Sequence, residues 1–259
     1  MVKRQSKVNQ NQLELLLLIY KFRFVSIPLL SKSRKVSPEA IKNTLNILLD
    51  KQLVLRRYNK SYKLAGKPAQ FALAKQAITL LKDQPGLSEK YLHSLYRNPG
   101  LSKQFADHCL EVYQAYLTLN LQYPDTFSIY TRAELVDYED SYPEPLPDLV
   151  LKRKDSETTP EMYFLDILKD SQLWLIKKRI NTYIEHYESG DWEEEIYPTV
   201  LFVCEDSNVE KKVLEYAEQA KDNAFIEDDE LIIMTTTKKS LRADNKAVWS
   251  SSDKSLTSL

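Results

Sequence analysis

The spacing of apolar residues predicts three helices near the start of the chain. The first covers residues 11 to about 23, because its apolar positions recur every three or four residues and form one stripe. The second is the short segment IPLLSKSR, which Ser26 caps at its N-terminus. The third begins at Ser37, since serine is a good N-cap and Pro38 is tolerated in the first helical turn.

The third predicted helix is strongly amphipathic, and two strand-like runs follow it. Its apolar side comprises Ile41, Leu45, Leu48 and Leu49, and its other side is polar. The runs LVLRRYN and QFALA have the composition of strands and are joined through a turn at residues 59–61. Three helices followed by a basic hairpin predict an α+β winged helix-turn-helix domain. In such a domain the third helix enters the major groove of DNA, and the hairpin, called the wing, follows the backbone.

The charge of the chain is divided unevenly between its two parts. Residues 1–77 contain 16 lysines and arginines against 3 acids, a net charge of +13. Of the 36 basic and 37 acidic residues in the chain, this leaves 20 basic and 34 acidic ones in residues 78–259, a net charge of −14. Such a division indicates that the first part binds a polyanion, and duplex DNA is the expected partner.

Two groups of side chains in the first part are candidates for contact with DNA. Amides can pair with adenine and lysine with guanine, so the candidates on the third helix are Lys42, Asn43 and Asn46. Basic side chains of the hairpin suit the phosphates, and the candidates there are Arg56, Arg57, Lys60, Lys63 and Lys67. The alternative is a winged helix whose exposed helix binds another protein, and the excess of positive charge argues against it.

The rest of the chain alternates between helical and strand-like patterns. A long helix is predicted over residues 102–121, and the strand-like runs FSIYTRAEL, PDLVLKR and MYFLDIL follow it. Two further strands, TVLFVCE and ELIIMTTT, alternate with helices over residues 171–187 and 208–220, which predicts parallel pairing through crossovers. Both strands are almost continuously apolar, as expected for strands buried on both faces. This order predicts an α/β domain with a mixed sheet flanked by helices.

Composition suggests where the domains begin and end. The winged helix is predicted to occupy residues 1–83 and the α/β domain residues 101–237. Residues 84–100 contain two Pro-Gly pairs and are predicted to form a linker. Residues 238–259 are polar and rich in serine and lysine, so we expect a disordered tail.

Two carboxylates lie in strand-like runs of the second domain. Asp148 begins the first of these runs, and Asp166 lies between two apolar residues of the second. Burying an acid in an apolar strand is costly, so each one needs a partner. Two such acids could bind Mg²⁺ in a metal-dependent nuclease, which makes Asp148 and Asp166 candidate metal ligands and catalytic residues. Alternatively, Asp148 satisfies backbone groups at the start of a strand, which needs no metal.

A nuclease of this kind also needs a lysine that activates or orients the attacking water. The lysine should stand two residues after Asp166, because alternate residues of a strand share a face. That position is Leu168. Lys169 faces the other way, and bringing it into place would require a bulge.

The helix after this strand offers a substitute lysine. Its predicted buried stripe consists of Leu173, Ile176, Ile180, Ile184 and Tyr187. Lys177 lies at the edge of the stripe and is the candidate catalytic lysine if the site is active, whereas Lys178 and Arg179 are expected to point further out. Lysines at helix edges often only cover apolar surface with their stems. The sequence therefore favours an inactive site without a cofactor over an active one with Mg²⁺.

The order of these segments resembles a known family. The layout of PDLVL and YFLDILKD looks like the PD-(D/E)XK nuclease fold, and with the winged helix the chain resembles the replication-relaxation family of plasmids and mobile elements. Further matching stretches are GKPAQFALAKQAITLL, HCLEVYQAYL and KKRINTYIEHY, and the resemblance spans residues 12–220. It implies a DNA-binding accessory protein for replication or mobilisation, with a relaxase or replication protein as partner and with self-association through the second domain. The alternatives are an active Mg²⁺-dependent endonuclease and a winged-helix transcriptional regulator.

The sequence argues against several other classes of site and location. His93, His108 and His186 lack the spacing of zinc ligands, and four glycines provide no phosphate-binding loop. The apolar run at residues 15–20 is too short to span a bilayer, and the first residues lack the pattern of a signal peptide. Two distant cysteines fit a reducing compartment. We therefore expect a cytoplasmic protein that does not associate with membranes.

Overall fold

The chain divides into two units, Met1–Gln114 and Ala115–Leu259, and the division falls within a long helix. The structure is a computed structural model that describes residues 8–58, 60–154, 161–168, 172–192, 194, 196–243, 245–251 and 256–259.

The first unit combines helices with a small sheet. Its helices are α1 (Gln10–Phe22), α2 (Ile27–Arg34), α3 (Pro38–Asp50), α4 (Lys60–Leu64), α5 (Lys75–Leu81) and α6 (Glu89–Ser94), followed by a 3-10 helix (Leu95–Gly100) and the first part of α7 (Lys103–Gln122), whose last residues belong to the second unit. Its strands are β1 (Val25–Ser26), β2 (Val54–Arg57) and β3 (Gln70–Leu73). The sheet has the order β1-β3-β2, and both pairings are antiparallel.

The first three helices form close to the predicted positions, although the side chain of Ser26 makes no capping hydrogen bond at the start of α2. The side chain of Asn9 accepts a hydrogen bond from the amide of Gln12 at 2.9 Å, which caps α1. Ser37 caps α3 by accepting from the amide of Ala40 at 3.2 Å. The apolar side of α3 is buried, which leaves the polar side of this helix exposed.

The segment between β2 and β3 differs from the predicted turn. Residues 60–64 form the short helix α4, and the left-handed conformation needed after it is supplied by Gly66, whose φ is +62°. The amide of Lys67 then donates to the carbonyl of Tyr62 at 2.9 Å, which closes the helix. The hairpin is therefore a pair of strands that carries a helical tip.

Residues 84–100 also differ from the predicted linker. Within them α6 and the 3-10 helix bury Tyr91, Leu92 and Leu95. Asn98 is buried, and its Oδ1 accepts a hydrogen bond from Nε of Arg23 at 2.8 Å. The Pro-Gly pairs therefore separate short packed helices and do not mark a loose connection.

The second unit is built on a seven-stranded mixed sheet, in agreement with the predicted α/β class. Its strands are β4 (Phe127–Thr131), β5 (Leu149–Arg153), β6 (Met162–Ile167), β7 (Thr199–Cys204), β8 (Ile233–Thr237), β9 (Trp249–Ser250) and β10 (Leu256–Thr257), in the order β10-β9-β8-β7-β6-β5-β4. The pairs β6–β7 and β7–β8 are parallel, and the other pairs are antiparallel. All residues of β7 except the half-buried Thr199 are buried, as predicted for a central strand.

Helices connect and cover the strands of this sheet. They are α8 (Arg132–Leu135), a 3-10 helix (Val136–Ser141), α9 (Leu173–Ser189), α10 (Ser207–Asn223) and α11 (Lys238–Leu241). The helix α9 joins β6 to β7, and α10 joins β7 to β8, so both provide the crossovers that parallel pairing requires. Among the helices of the described residues, none is both long and apolar enough to cross a membrane.

The buried stripe of α9 begins later than predicted. Ile176 and Ile180 are buried in the main core with Phe164 and Phe202. Leu173, expected to be part of this stripe, is 41% exposed. The packing of α9 therefore starts one turn into the helix.

The last residues of the chain contradict the predicted disordered tail. The helix α11 and the strands β9 and β10 lie within residues 238–259, and Trp249 is completely buried. The amide nitrogen Nε2 of Gln122 donates to the carbonyls of Leu241 and Asn245, both at 2.9 Å. The buried side chains of Leu241, Ala247 and Trp249 and the hydrogen bonds from Gln122 therefore hold a segment that looks polar in sequence.

Candidate carboxylate site and nucleic-acid surface

Asp148 and Asp166 lie side by side on two antiparallel strands. Asp148 directly precedes β5, and Asp166 lies near the end of β6. Since Leu149 pairs with Leu165, the next positions in the register bring Asp148 opposite Asp166. Both residues are buried, with 3% and 4% of their surface exposed. The structure thus brings together the two acids that the sequence singled out.

The two acids are linked to one another through the backbone. The amide of Asp148 donates to Oδ1 of Asp166 at 3.1 Å, and the amide of Ile167 donates to Oδ2 of Asp148 at 3.0 Å. Each carboxylate therefore satisfies an amide at the junction of the strands. This arrangement agrees with the alternative interpretation of Asp148, in which its carboxylate satisfies backbone groups at the start of a strand.

Two arginines neutralise the pair. Nη2 of Arg132, from α8, lies 2.9 Å from Oδ1 of Asp148. Nε of Arg179, from α9, lies 2.5 Å from Oδ2 of Asp166, and its side chain is only 12% exposed. Two buried negative charges side by side would repel each other, and the two guanidinium groups remove that cost.

Arg179 is held in place by further hydrogen bonds. Its Nη1 donates to the carbonyl of Pro145 at 2.5 Å, and its Nη2 donates to the hydroxyl of Tyr183 at 2.9 Å. The hydroxyl of Tyr183 in turn donates to Oδ2 of Asp166 at 2.6 Å. Arginine, carboxylate and phenol therefore form a closed network around Asp166.

The protonation of this network follows from its burial. Burial alone would lower the pKa of Arg179, but the charge of Asp166, the hydrogen bond to it and the neighbouring Tyr183 and Asp148 together outweigh burial and raise the pKa above its usual value. Burial raises the pKa of Tyr183 well above its usual value. Arg179 therefore stays charged and Tyr183 stays protonated, so both act as hydrogen-bond donors to Asp166.

The residues present do not fit a magnesium ion. Both oxygens of Asp148 and both oxygens of Asp166 already accept hydrogen bonds from the protein. Within the described part of the chain, no cluster of three His, Cys, Asp or Glu side chains could hold a metal. A hard cation needs several free oxygen ligands, so binding here would require the arginines to leave.

The lysine candidates lie elsewhere. Leu168, at the position of the nuclease lysine, is buried, and Lys169 lies outside the described residues. Nζ of Lys177 lies 4.4 Å from the centroid of the Tyr216 ring, where it packs between α9 and α10. Lys177 therefore makes a packing contact with Tyr216, and the cations described beside Asp148 and Asp166 are arginines.

Arg179 corrects the expectation that it points away from the core. It lies three residues after the buried Ile176 and four before the buried Tyr183, so it shares their side of the helix. This spacing is visible in the sequence. An apolar stripe centred on Ile180 does not by itself indicate that a charged residue beside it is buried.

The polar side of α3 is available to a ligand. Lys42, Asn43 and Asn46 are all exposed along this face. Nζ of Lys42 lies 3.3 Å from a carboxylate oxygen of Glu39, and both side chains are more than half exposed. An exposed ion pair of this type is weak, so Lys42 can exchange Glu39 for another anion.

The hairpin presents only some of its predicted phosphate ligands. Arg56, Lys60 and Lys63 are exposed. Lys67 is also exposed, but its Nζ lies 2.7 Å from Oδ2 of Asp107, and this hydrogen bond raises the pKa of Lys67. Three of the five candidates are thus exposed, with the guanidinium of Arg56 5.3 Å from the centroid of the Tyr58 ring, whereas Lys67 is paired with an acid.

Arg57, a predicted phosphate ligand, makes contacts within the first unit. It is half-buried, its Nη2 donates to the carbonyl of Leu101 at 2.9 Å, and its guanidinium lies 5.4 Å from the centroid of the Phe24 ring. Alternate residues of β2 face opposite sides, so Arg56 points outward where Arg57 points inward. Arg57 therefore supports the fold of the first unit.

An aromatic cluster supports the face of the sheet that α9 covers. The ring of Phe164 has its centroid 5.4 Å from that of Trp192 and 5.8 Å from that of Tyr197. His186 joins the cluster, with Nδ1 2.9 Å from the hydroxyl of Tyr197. Burial lowers the pKa of His186 below its usual value of 6.5, so the neutral ring is the stable form in the fold.

Comparisons with known proteins return little. No protein-family model and no curated protein matches the chain. Among solved structures, the chain is similar to the restriction endonuclease FokI, at 10% sequence identity and a TM-score of 0.30, over 89% of this chain. The match spans 43% of the length of that protein.

Proposed function

We propose that this protein binds duplex DNA through its first unit, and that its second unit carries a nuclease-like carboxylate pair that does not cut. The observation that carries the proposal is the pairing of Asp148 and Asp166 with Arg132 and Arg179. A cleaving site must offer its carboxylate oxygens to a metal, and here each of these oxygens already has a partner within the protein.

The first unit supports DNA binding by its charge and its shape. Residues 1–77 carry a net charge of +13. In our proposal the helices α1 to α3 and the pair β2–β3 form a winged helix-turn-helix, with α3 as its recognition helix. Lys42, Asn43 and Asn46 then read bases, while Arg56, Lys60 and Lys63 bind phosphates.

The second unit supports a relationship to nucleases by the position of its acids. The strand pair β5–β6 carries both carboxylates, β6 leads through α9 into the parallel strand β7, and this is the layout of the PD-(D/E)XK fold. Leu168 stands where that fold has its lysine. In our proposal the domain keeps the scaffold of a nuclease and has exchanged its metal chemistry for an arginine-carboxylate network.

The finer assignment rests on the resemblance in sequence order. We propose that the protein acts as an accessory factor in the replication or mobilisation of a plasmid or mobile element, with a relaxase or replication protein as partner. The second unit would serve for that contact or for self-association. Genome-wide mapping of bound DNA separates an origin, a transfer site and a promoter, and binding confined to promoters would favour a transcriptional regulator instead.

A titration of the intact protein tests the binding part of the proposal. Fluorescence anisotropy with a labelled duplex should show an affinity that falls steeply as salt is added, because phosphate contacts release counterions. Exchanging both Asn43 and Asn46 for alanine should weaken the preference among duplex sequences and leave the salt dependence unchanged. A protein without salt-dependent affinity for any duplex would refute the proposal.

A further inference from the structure

Leu64 is a large apolar side chain that the fold leaves in water. It is 88% exposed at the end of α4. An exposed leucine forgoes the favourable free energy of burial, so a partner that covers it would gain affinity.

The helix α4 holds this leucine in a fixed position. Tyr62, two residues earlier, is buried, and its hydroxyl donates to Oε1 of Gln70 at 2.8 Å. Nε2 of Gln70 donates to Oδ1 of Asp107 at 2.6 Å, and Nζ of Lys103 lies 4.8 Å from the centroid of the Tyr62 ring. With one side of the short helix anchored in this way, Lys60, Lys63 and Leu64 are turned outward.

The positive charge of the segment around Leu64 indicates a negatively charged partner. Residues 51–82 contain eight lysines and arginines and no aspartate or glutamate. Lys60 and Lys63, on the same short helix, are exposed beside the leucine. An apolar side chain flanked by cations on a rigid projection matches the wedges that proteins insert into the minor groove of DNA.

We propose that Leu64 is such a wedge, inserted between neighbouring base pairs from the minor groove of the duplex. Lys60 and Lys63 would bind the phosphates on either side, and the unstacked step would bend the duplex. This inference rests on the proposed DNA-binding function and adds to it a specific distortion of the DNA. Flexible steps such as TA and CA would be preferred, because they are the easiest to unstack.

The experiment uses the intact protein and a duplex that carries 2-aminopurine at successive positions and a dye at each end. Anisotropy reports binding, 2-aminopurine emission reports unstacking, and energy transfer between the dyes reports bending. The parent protein should raise the 2-aminopurine emission and bend the duplex by about 20–90°. The test variant is Leu64→Ser, and the matched control is Leu121→Ser, which makes the same change at a leucine of the second unit that is 72% exposed.

Leu64→Ser should lose the unstacking and the bend, and its affinity should fall by about tenfold, while the slope of affinity against salt stays the same because no ionic contact is removed. Leu121→Ser should behave as the parent.

Binding by the parent without unstacking, or a full bend with Leu64→Ser, would overturn the wedge and leave the proposed function standing. Absence of DNA binding by every variant would overturn both. If Leu64→Ser instead abolished binding to vesicles of anionic lipid and left the DNA signals unchanged, the surface would be a lipid contact and the wedge would be refuted.

Discussion

Nε of Arg179 lies 2.5 Å from Oδ2 of Asp166, which joins α9 to the end of β6. Leu168 occupies the position where a nuclease would carry its lysine on the strand. The cation beside Asp166 is therefore supplied by α9, and Arg179 forms a hydrogen-bond network there with Tyr183. In this geometry both oxygens of the buried acid accept hydrogen bonds from the protein, so a metal would have to compete with these donors.

Exchange of Arg179 for glutamine should strongly destabilise the second unit. Removing one partner of a buried ion pair leaves a charge without compensation, which costs about 3–5 kcal/mol. Urea unfolding of the variant and of the parent measures this loss. The matched control is Lys178→Gln, which removes a neighbouring cation from the exposed side of α9 and should change the free energy of unfolding by less than about 0.5 kcal/mol.

A second change tests whether this loss comes from the uncompensated acid. In the double variant Arg179→Gln with Asp166→Asn, the buried charge is gone, so part of the lost stability should return. Non-additivity of about 0.5–3 kcal/mol in the double-mutant cycle would show the coupling. Strictly additive effects would contradict the network described around Asp166.

Arg56 and Arg57 should respond to substitution in different ways, although they are neighbours. Arg56→Ala should reduce the slope of affinity against salt by about one and leave the free energy of unfolding nearly unchanged. Arg57→Ala should lower the free energy of unfolding by about 1–3 kcal/mol, because a half-buried guanidinium loses its bond to the carbonyl of Leu101. Anisotropy titrations at several salt concentrations and urea unfolding separate the two effects. If the slope of affinity against salt fell equally in both variants, Arg57 would also be a phosphate contact.

His186 should make stability depend on pH below its usual pKa of 6.5. Burial lowers its pKa in the fold, so the unfolded chain takes up a proton at this position first. The contribution of His186 to the free energy of unfolding is fully present above pH 6.5 and is lost as the pH falls through the lowered pKa of this residue. Urea unfolding across this range should show a smaller slope for His186→Gln than for the parent. His93→Gln, a change at an exposed histidine, is the control, and a parent slope retained in His186→Gln would refute the assignment.

The last residues of the chain should matter for stability. Trp249 is fully buried beside β8, so Trp249→Ala should cost about 3–5 kcal/mol in the free energy of unfolding. Trp174→Ala makes the same change at a tryptophan that is 63% exposed, and it should cost far less. Thermal or urea unfolding of the two variants compares them directly. Equal effects would mean that residues 238–259 do not pack as the structure describes.

The elements of the fold could be predicted because their periodicity is local. The stripe of α3, the apolar strand β7 and the adjacency of Asp148 and Asp166 all follow from spacing along one segment or across one strand pair. The partners of those acids do not follow in the same way. Arg132 and Arg179 reach them from two helices, and the placement of a helix on a sheet depends on packing over the whole unit.

Two other features escaped the sequence for related reasons. The tip of the hairpin was expected to be a turn, but the anchoring of Tyr62 by Gln70 stabilises a helix there, and this contact links residues eight positions apart. Trp249 is buried although the segment around it is polar, so the composition of the segment does not predict this burial. In each case a tertiary contact decided the local structure.

In our proposal the protein holds duplex DNA without cutting it. The most direct test incubates the intact protein with an end-labelled duplex in excess Mg²⁺ and, separately, in excess Mn²⁺, under conditions where anisotropy shows the duplex to be fully bound. A denaturing gel then reports the length of every strand. Our account predicts that the bound duplex remains intact in both metals. Metal-dependent cleavage that Asp148→Ala and Asp166→Ala abolish would contradict it.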